Sequence, residues 1–197
     1  TNMLVKASPH IRDNSSTQKI MLDVIIALCP AIVASGIIFG WRALLVIGVT
    51  AAASVAFEYL YCYLMKKPIT ISDLSAVVTG ILLAFNLPST IPLWIAILGS
   101  FVAVVIAKQM FGGLGHNFAN PAIVGRIVLA VSFAGRMTAY AYPAVPGGVD
   151  ALAGATPLVA TQHADLPLLQ LFLGAHGGVL GETCAAALLL GGVYLVA

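Results

Sequence analysis

Charged side chains are scarce in this sequence, and their scarcity limits the kind of protein it can be. Asp, Glu, Lys and Arg make up 8% of the 197 residues, while hydrophobic residues make up 60%. A soluble domain contains about 25% charged residues, because its surface must be solvated. This chain has too few polar side chains to cover such a surface. We therefore predict an all-α protein that crosses a lipid bilayer several times.

Basic runs and cysteine clusters are also missing. Lys66 and Lys67 form the longest Lys/Arg run, so the sequence gives no reason to expect a nucleic-acid partner. The cysteines, Cys29, Cys62 and Cys184, lie far apart in apolar runs and form no Cys-x-x-Cys pair. This pattern favours small buried hydrophobic residues over a metal site or a disulfide. The sequence also lacks a nucleotide-binding glycine fingerprint and a catalytic triad, so we expect no catalysis by this chain alone.

Long apolar runs predict the membrane spans. A helix needs about 20 apolar residues to cross a bilayer, and residues 20–39, 43–64 and 91–106 are the best candidates. The last apolar run, 184–197, reaches the final residue without a cap or a flanking charge, so we expect the natural protein to continue. The predicted organisation is a cytoplasmic N-terminal segment at 1–19, transmembrane and broken helices at 20–134, an extracytoplasmic loop at 135–165, and further membrane helices at 166–197.

Shorter apolar runs are bounded by Gly, Pro and Asn. Residues 74–85, 121–133 and 166–173 are too short to cross a bilayer, and the last helix, after Gly178, carries Glu182 near its start. Short apolar runs of this kind indicate broken or re-entrant helices, which survive in lipid only where protein or a cavity covers them. In transporters such breaks mark ligand and ion sites. Tilted spans with frayed ends are the alternative interpretation.

The distribution of basic residues predicts the orientation of the chain. Basic residues are enriched in cytoplasmic loops of membrane proteins. If the helices alternate in direction, most of the basic residues lie on one side, and only Arg42 and Arg136 lie on the other. We expect that first side, and the N-terminus, to be cytoplasmic in a cell (inner) membrane, with the loop at 135–165 outside. The residues on the first side are Lys6, Arg12, Lys19, Lys66, Lys67 and Lys108.

The predicted outer loop contains a distinctive heptapeptide, Asp-Ala-Leu-Ala-Gly-Ala-Thr, which ends at Thr156 and is followed by Pro157. As local structure, this is a good helix start, with a capping hydroxyl and proline in the first turn. It also resembles Asp-x-x-(Ser/Thr)-Gly-Ala-Thr, the motif of flavoproteins that carry FMN through a phosphoester bond to threonine. Asp150, Gly154, Ala155 and Thr156 match that motif, and Ala153 departs from it.

Two other segments resemble one family. Residues 8–12, Ser-Pro-His-Ile-Arg, resemble the N-terminal signature of the D subunits of Rnf complexes, which are ion-translocating ferredoxin:NAD⁺ oxidoreductases. Residues 111–122, Phe-Gly-Gly-Leu-Gly-His-Asn-Phe-Ala-Asn-Pro-Ala, with Gly125 and Arg126, resemble the central motif of that family. The homologous B subunits of Na⁺-translocating NADH:quinone reductases share a version of it. The resemblance extends from Ser8 to the end of the chain.

The resemblance implies a fold and a cofactor. The fold is urea-transporter-like, in two inverted halves, with the second half mostly absent from this chain. The resemblance also implies that a flavin transferase on the outer face esterifies FMN to Thr156. Gly154 and Ala155 would leave room for the transferase beside the threonine, and Asp150 would orient the hydroxyl or a metal ion. The sequence leaves open whether a second, non-covalent flavin binds.

The resemblance also implies a function and partners. The chain would be an electron-transfer subunit that works only within a complex, alongside a second FMN-carrying subunit and iron–sulfur subunits. Electron flow through the complex would drive Na⁺ or H⁺ across the membrane, and the sequence does not identify the ion. The alternatives are the B subunit of a quinone reductase, a passive small-solute channel, and a purely structural scaffold. Thr156 separates the electron-transfer subunit from the channel and the scaffold, because neither of these has any need of the attachment motif.

Polar residues inside apolar runs are the remaining candidates for function, because they are costly in lipid and need partners. Arg126 is predicted either to contact a flavin or to form an ion pair with Glu58, Asp73 or Glu182. Asn117 and Asn120 either satisfy broken backbone or line a flavin pocket, and we favour the backbone role. Among the carboxylates, Glu58 lies deepest in its helix and is the candidate for an ion pathway; no spacing predicts a metal site.

Overall fold

Two long helices form the first antiparallel pair in the computed structural model, which describes residues 16–141, 153–154, 172–174 and 176–196. Helix α1 covers Thr17–Phe39 and α2 covers Trp41–Leu64. Both are long and apolar enough to cross a membrane, as predicted. Ser16 caps α1 by accepting a hydrogen bond from the Lys19 amide at 3.3 Å. Between the helices Gly40 has φ +77°, a conformation that favours glycine, and this makes the one-residue turn possible.

The other described helices are shorter, as predicted for the apolar runs at 74–85 and 121–133. The run at 91–106, predicted to cross the membrane, also forms one of these shorter helices. A single 3₁₀ turn, Ile71–Asp73, leads into helix α3, Ser75–Phe85. Helix α4, Leu93–Phe101, continues directly into a π-helical segment at Val102–Gln109. The placement of Glu182 in the last helix is wrong, because that helix begins at Ala185 and the Glu182 amide lies in a turn, bonded to the Val179 carbonyl. The remaining helices are α5 Pro121–Ser132, α6 Ala134–Met137 and α7 Ala185–Val196.

A short strand pair qualifies the all-α prediction. Strand β1, Tyr140–Ala141, pairs antiparallel with β2, Ala153–Gly154, and Tyr140 lies opposite Gly154. No alternating apolar pattern in the sequence indicates these strands, since each contains only two residues. The described part of the chain is otherwise helical or irregular.

The strands lie near one end of the helix bundle. The Arg42 side chain, at the start of α2, donates to the Ser89 carbonyl at 3.1 Å, and the Thr90 hydroxyl donates to the Ala139 carbonyl at 2.7 Å. We call this the Arg42 end. The 24 residues of α2 span roughly 36 Å, so the exposed Lys67 beyond its C-terminus marks the opposite, Lys67 end.

Backbone carbonyls at the end of α3 and just beyond it accept hydrogen bonds from a distant part of the chain. The amide of Leu180 donates to the Leu87 carbonyl at 3.1 Å, and that of Gly181 donates to the Phe85 carbonyl at 3.0 Å. Ser35, buried on α1, donates its hydroxyl to the Leu180 carbonyl at 2.6 Å. A side chain at Gly181 would collide with Phe85, so the close approach requires glycine. Protein therefore covers this helix break, as the membrane constraint demands.

The outer faces of the helices expose large apolar side chains. Ile37 and Val131 are each 80% exposed and Trp41 is 75% exposed. A monomeric soluble protein rarely exposes such a contiguous apolar surface, whereas lipid is a suitable solvent for it. The inner faces pack around Val46, Ile95 and other buried aliphatic side chains. Together with the two long apolar helices, this arrangement is consistent with a helical membrane protein.

Candidate functional site

A buried ion pair lies near the Lys67 end of the bundle. Glu58, on α2, is completely buried, and the Lys108 side chain on the π-helical segment is 2% exposed. The ammonium nitrogen of Lys108 lies 2.9 Å from Glu58 Oε2 and 3.1 Å from Oε1. Among the residues that the structure describes, this is the one ion pair. Burying two opposite charges in contact avoids the much larger cost of burying either alone.

Further donors complete the surroundings of the carboxylate. The Thr70 hydroxyl and the Gln109 carboxamide nitrogen each donate to Glu58 Oε1 at 2.8 Å. Thr70 lies in the connection between α2 and α3, and Gln109 ends the π-helical segment. The carboxylate is therefore held by groups from two distant parts of the chain, the connection at Thr70 and the π-helical segment at Lys108 and Gln109. A carboxylate so fully hydrogen-bonded and charge-paired is compatible with burial in an apolar bundle.

Ser75 orients the other side of the Lys108 ammonium. Lys108 Nζ donates to Ser75 Oγ at 2.6 Å, while that hydroxyl donates to Asp73 Oδ1, also at 2.6 Å. The Ser75 amide donates to the same Asp73 oxygen at 2.8 Å, at the first turn of α3. Leu74 between them has φ +61°, a strained conformation for a leucine. Asp73 thus fixes the hydroxyl so that its free lone pair points at Lys108.

The structure corrects the interpretation of two basic residues. Lys108 was expected to flank a span at the cytoplasmic surface, but it is buried against Glu58. The sequence carried no local signal for this pairing, because the two residues are 50 positions apart. Arg126 forms no ion pair in the described part of the chain, so that interpretation is wrong there; its Nη1 donates to Asn86 Oδ1 at 2.7 Å. Its contact with a flavin stays a prediction.

The two candidate asparagines satisfy backbone groups, as favoured from the sequence. Asn120 Oδ1 accepts from the Ala122 amide at 3.0 Å and so caps α5, with Pro121 in the first turn. The Asn117 amide, in the orientation that satisfies its neighbours, donates to the Gly113 carbonyl at 3.1 Å and to the Lys108 carbonyl at 3.2 Å. A flavin pocket at these residues stays a prediction.

A cleft of about 240 Å³ at the Lys67 end lies beside residues that contact the ion pair. Thr70 and Gln109 line it, and both contact Glu58. Gly112 and Gly113 also line it, with φ +119° and +93°, and this left-handed backbone explains these two glycines of the central motif. The other lining residues are Cys62, Lys67, Pro68, Asp73, Leu114 and His116.

Most of the predicted attachment motif lies outside the described residues. Asp150, Ala155 and Thr156 are among the residues that the structure does not describe, as is the N-terminal segment at 8–12. Gly154 is described, and it pairs with Tyr140 at the Arg42 end. The assignment of FMN to Thr156 therefore stays a prediction.

Comparison with known proteins adds the evidence that decides the family. The model of the NQR2, RnfD, RnfE family matches residues 4–197. The chain belongs to the NQR2, RnfD, RnfE family. The family membership confirms the resemblance inferred from residues 8–12 and 111–122. Curated relatives of this chain are named as subunits of ion-translocating oxidoreductase complexes.

Curated members of this family are similar along most of the chain. The D subunit of the Na⁺-translocating ferredoxin:NAD⁺ oxidoreductase complex of Acetobacterium woodii is 48% identical, covering 99% of this chain and 62% of the relative. The D subunit of the proton-translocating ferredoxin:NAD⁺ oxidoreductase complex of Clostridium ljungdahlii is 42% identical, with 98% and 61% covered. The D subunit of the ion-translocating oxidoreductase complex of Stutzerimonas stutzeri is 38% identical, with 93% and 61% covered.

The coverage and the names of these relatives limit what membership implies. The chain spans about three fifths of the length of the relatives it matches. Two of them are named for different ions, sodium in one case and protons in the other. Membership of the NQR2, RnfD, RnfE family therefore does not specify the coupling ion.

Proposed function

We propose that this chain is the D-type membrane subunit of an Rnf-like ion-translocating ferredoxin:NAD⁺ oxidoreductase and carries FMN covalently on Thr156. The observation that carries the proposal is the Asp-Ala-Leu-Ala-Gly-Ala-Thr segment, 150–156, within a chain 48% identical to the D subunit from Acetobacterium woodii. A threonine hydroxyl can form a phosphoester, so the residue type fits the group. Bound FMN supplies electron relay; the protein supplies its position and surroundings.

Four residues of the segment have a proposed part in attaching the flavin. Thr156 provides the ester oxygen, and Asp150 orients that hydroxyl or a metal ion while a flavin transferase attaches the FMN. Gly154 and Ala155 present little side chain beside the acceptor, so that the transferase can approach. Asn120 and Arg126 are weaker candidates for flavin contacts, and a second, non-covalent flavin belongs to the same proposal.

The proposed topology places Thr156 outside an inner membrane and the N-terminus in the cytoplasm. Gly154 pairs with Tyr140, and Ala139 accepts from Thr90 at the Arg42 end, away from Lys66 and Lys67. Two residues extend a chain by at most about 7 Å, which supports a position for Thr156 near that end. The positive-inside rule supports a cytoplasmic location for Lys66 and Lys67.

The proposed fold and partners complete the assignment. Helix α3 stops after 11 residues, and a distant segment covers its end; this arrangement supports a urea-transporter-like fold with broken helices. Electrons would pass between this flavin, a second FMN-bearing subunit and iron–sulfur subunits, and drive Na⁺ or H⁺ across the membrane. The names of the relatives support a multi-subunit complex.

Mass spectrometry tests the proposal directly. The full-length subunit, coexpressed with its complex and a flavin transferase, is expected to weigh one FMN, less one water, more than its polypeptide. The denatured band is expected to fluoresce yellow-green. Thr156→Val should abolish both signals. Thr138→Val is the matched control, because Thr138 is an exposed threonine on the described segment that precedes β1.

The same experiment separates the alternatives. A small-solute channel, which the broken helix α3 also permits, has no need of a cofactor and would be colourless. Flavin that persists on denatured Thr156→Val would refute the assignment to this residue. A B-type subunit of a quinone reductase would also carry FMN, and the oxidant used by the assembled complex, NAD⁺ or a quinone, would distinguish it.

A further inference from the structure

The ammonium group of Lys108 occupies a small cage of oxygen atoms. Its neighbours are Glu58 Oε1 at 3.1 Å, Glu58 Oε2 at 2.9 Å and Ser75 Oγ at 2.6 Å. Ser75 can only accept from Lys108, because its own proton is donated to Asp73 Oδ1. The cage is therefore arranged to receive a cation, and its lone pairs are fixed before the cation arrives.

The distances and the charge of the cage suit a monovalent cation. The contacts, 2.6 to 3.1 Å, are those of charge-assisted hydrogen bonds from an ammonium group, so the cage fits a cation of ammonium size. One carboxylate, that of Glu58, contacts the ammonium directly, so its charge balances a single positive charge. Lys108 Nζ thus stands in for a free monovalent cation held by a fixed carboxylate and hydroxyl.

Solvent comes close to the cage from the Lys67 end. Thr70, Asp73 and Gln109 line the cleft of about 240 Å³ and also belong to the network around Glu58. A small cation in the cleft is therefore separated from the carboxylate by side chains of the network itself. Lys108 lies near the end of a π-helical segment, and such segments occur frequently at functional sites because their backbone hydrogen bonds are irregular.

We propose that Glu58 and Ser75 form a monovalent-cation site whose resident cation is the Lys108 ammonium, so that a free cation reaches Glu58 only when Lys108 is absent from the cage. Lys108 is then a built-in competitor that determines which ions the buried carboxylate accepts. The inference does not depend on the flavin, and its test uses no redox readout, so it stands or fails separately from the proposed function.

Chemical rescue of a cavity variant tests the proposal. Lys108→Ala removes the ammonium and leaves space for a small amine in the purified full-length protein. We expect its melting temperature to fall by roughly 10 °C, because an uncompensated carboxylate remains buried. Methylammonium or ethylammonium should restore it saturably, whereas choline at the same ionic strength should not. A saturable response to Na⁺ or K⁺ would also support the cation site.

Three controls isolate the cage from general salt effects. Lys108→Met also removes the charge but fills the cavity, so amines should not rescue it. Glu58→Gln combined with Lys108→Ala lacks the anionic oxygen and should not respond either. Lys66→Ala removes a neighbouring exposed lysine that does not line the cleft and should behave like the unmodified protein.

The outcomes decide the proposal in both directions. If Lys108→Ala is too unstable to purify, expression and extraction in ethylammonium should recover it, and that recovery would support the cage. If no amine or alkali cation raises its yield or melting temperature above the choline value, the proposal is wrong. An equal rise in Lys108→Met would also overturn it, because the response would then not require the vacated space.

Discussion

The hydroxyl of Thr90 donates to the backbone carbonyl of Ala139 at 2.7 Å, across 49 positions of sequence. This bond joins the connection between α3 and α4 to the segment that leads into β1. Arg42 contacts the same connection through the Ser89 carbonyl. The start of α2, the segment after α3 and the segment before β1, the strand that pairs with Gly154, therefore lie together at one end of the bundle.

Labelling of single cysteines should reveal opposite sides for the two ends. In a background with Cys29, Cys62 and Cys184 replaced by alanine, Thr138→Cys should react with a membrane-impermeant maleimide added outside intact cells. Lys66→Cys should react only after the membrane is opened, because both residues are exposed but at opposite ends of the bundle. Labelling of both from outside would contradict the proposed topology.

Removing one partner of the buried pair should be far more harmful than removing both. Glu58→Gln leaves the buried Lys108 ammonium without its carboxylate, and Lys108→Met leaves the buried Glu58 carboxylate without its ammonium. Each substitution should therefore lower the free energy of unfolding by about 3–5 kcal/mol. The double variant should lose less than about 2 kcal/mol, since no charge remains buried. Unfolding in mixed micelles measures the cycle, with Lys66→Met, at an exposed lysine that does not line the cleft, as the control.

Additive losses in that cycle would show that the two side chains do not interact. Such a result would contradict the 2.9 Å contact between Lys108 Nζ and Glu58 Oε2. A double variant as unstable as either single variant would instead assign the loss to packing rather than charge.

Arg126 should stabilise the end of α3 through Asn86. Arg126→Leu removes the donor to Asn86 Oδ1 and should cost about 1–2 kcal/mol, because a partly buried acceptor loses its partner. Arg136→Leu, at an exposed arginine, should change stability by less than about 0.5 kcal/mol. Melting temperatures of the purified variants compare the two, and equal losses would argue against the Asn86 contact.

The crossing of α2 and α3 should depend on Gly80. A methyl group there would lie 2.6 Å from Ala51 Cα and 2.8 Å from Ser54 Oγ, so Gly80→Ala must push the helices apart. We expect a loss of about 1–3 kcal/mol in the free energy of unfolding. Gly48, on α2, is the matched control, because a methyl group there has open space around it.

Gly48→Ala should leave stability unchanged or raise it by less than about 1 kcal/mol, since alanine favours helix. Equal effects of the two substitutions, measured by unfolding in the same micelles, would show that helix propensity rather than the close crossing decides the response.

Several features of this protein follow from the sequence because they depend on local composition. The shortage of charge and the apolar runs at 20–39 and 43–64 predict α1 and α2, since a bilayer imposes length and hydropathy on any span. Asn120 and Pro121 predict the start of α5 because a helix start is a local event. The motif at 111–122 predicts the family for the same reason, since it is contiguous.

The tertiary structure alone decided which polar groups meet inside the bundle. From the sequence Lys108 is predicted to be a surface lysine, and only the crossing of α2 with the π-helical segment brings it to Glu58. Likewise, Asn86 receives Arg126, and Leu180 covers the end of α3. In an apolar membrane helix, the sequence pattern does not show which face contacts another helix, because lipid and protein are almost equally apolar. Packing and hydrogen bonds between the helices then decide which residues meet.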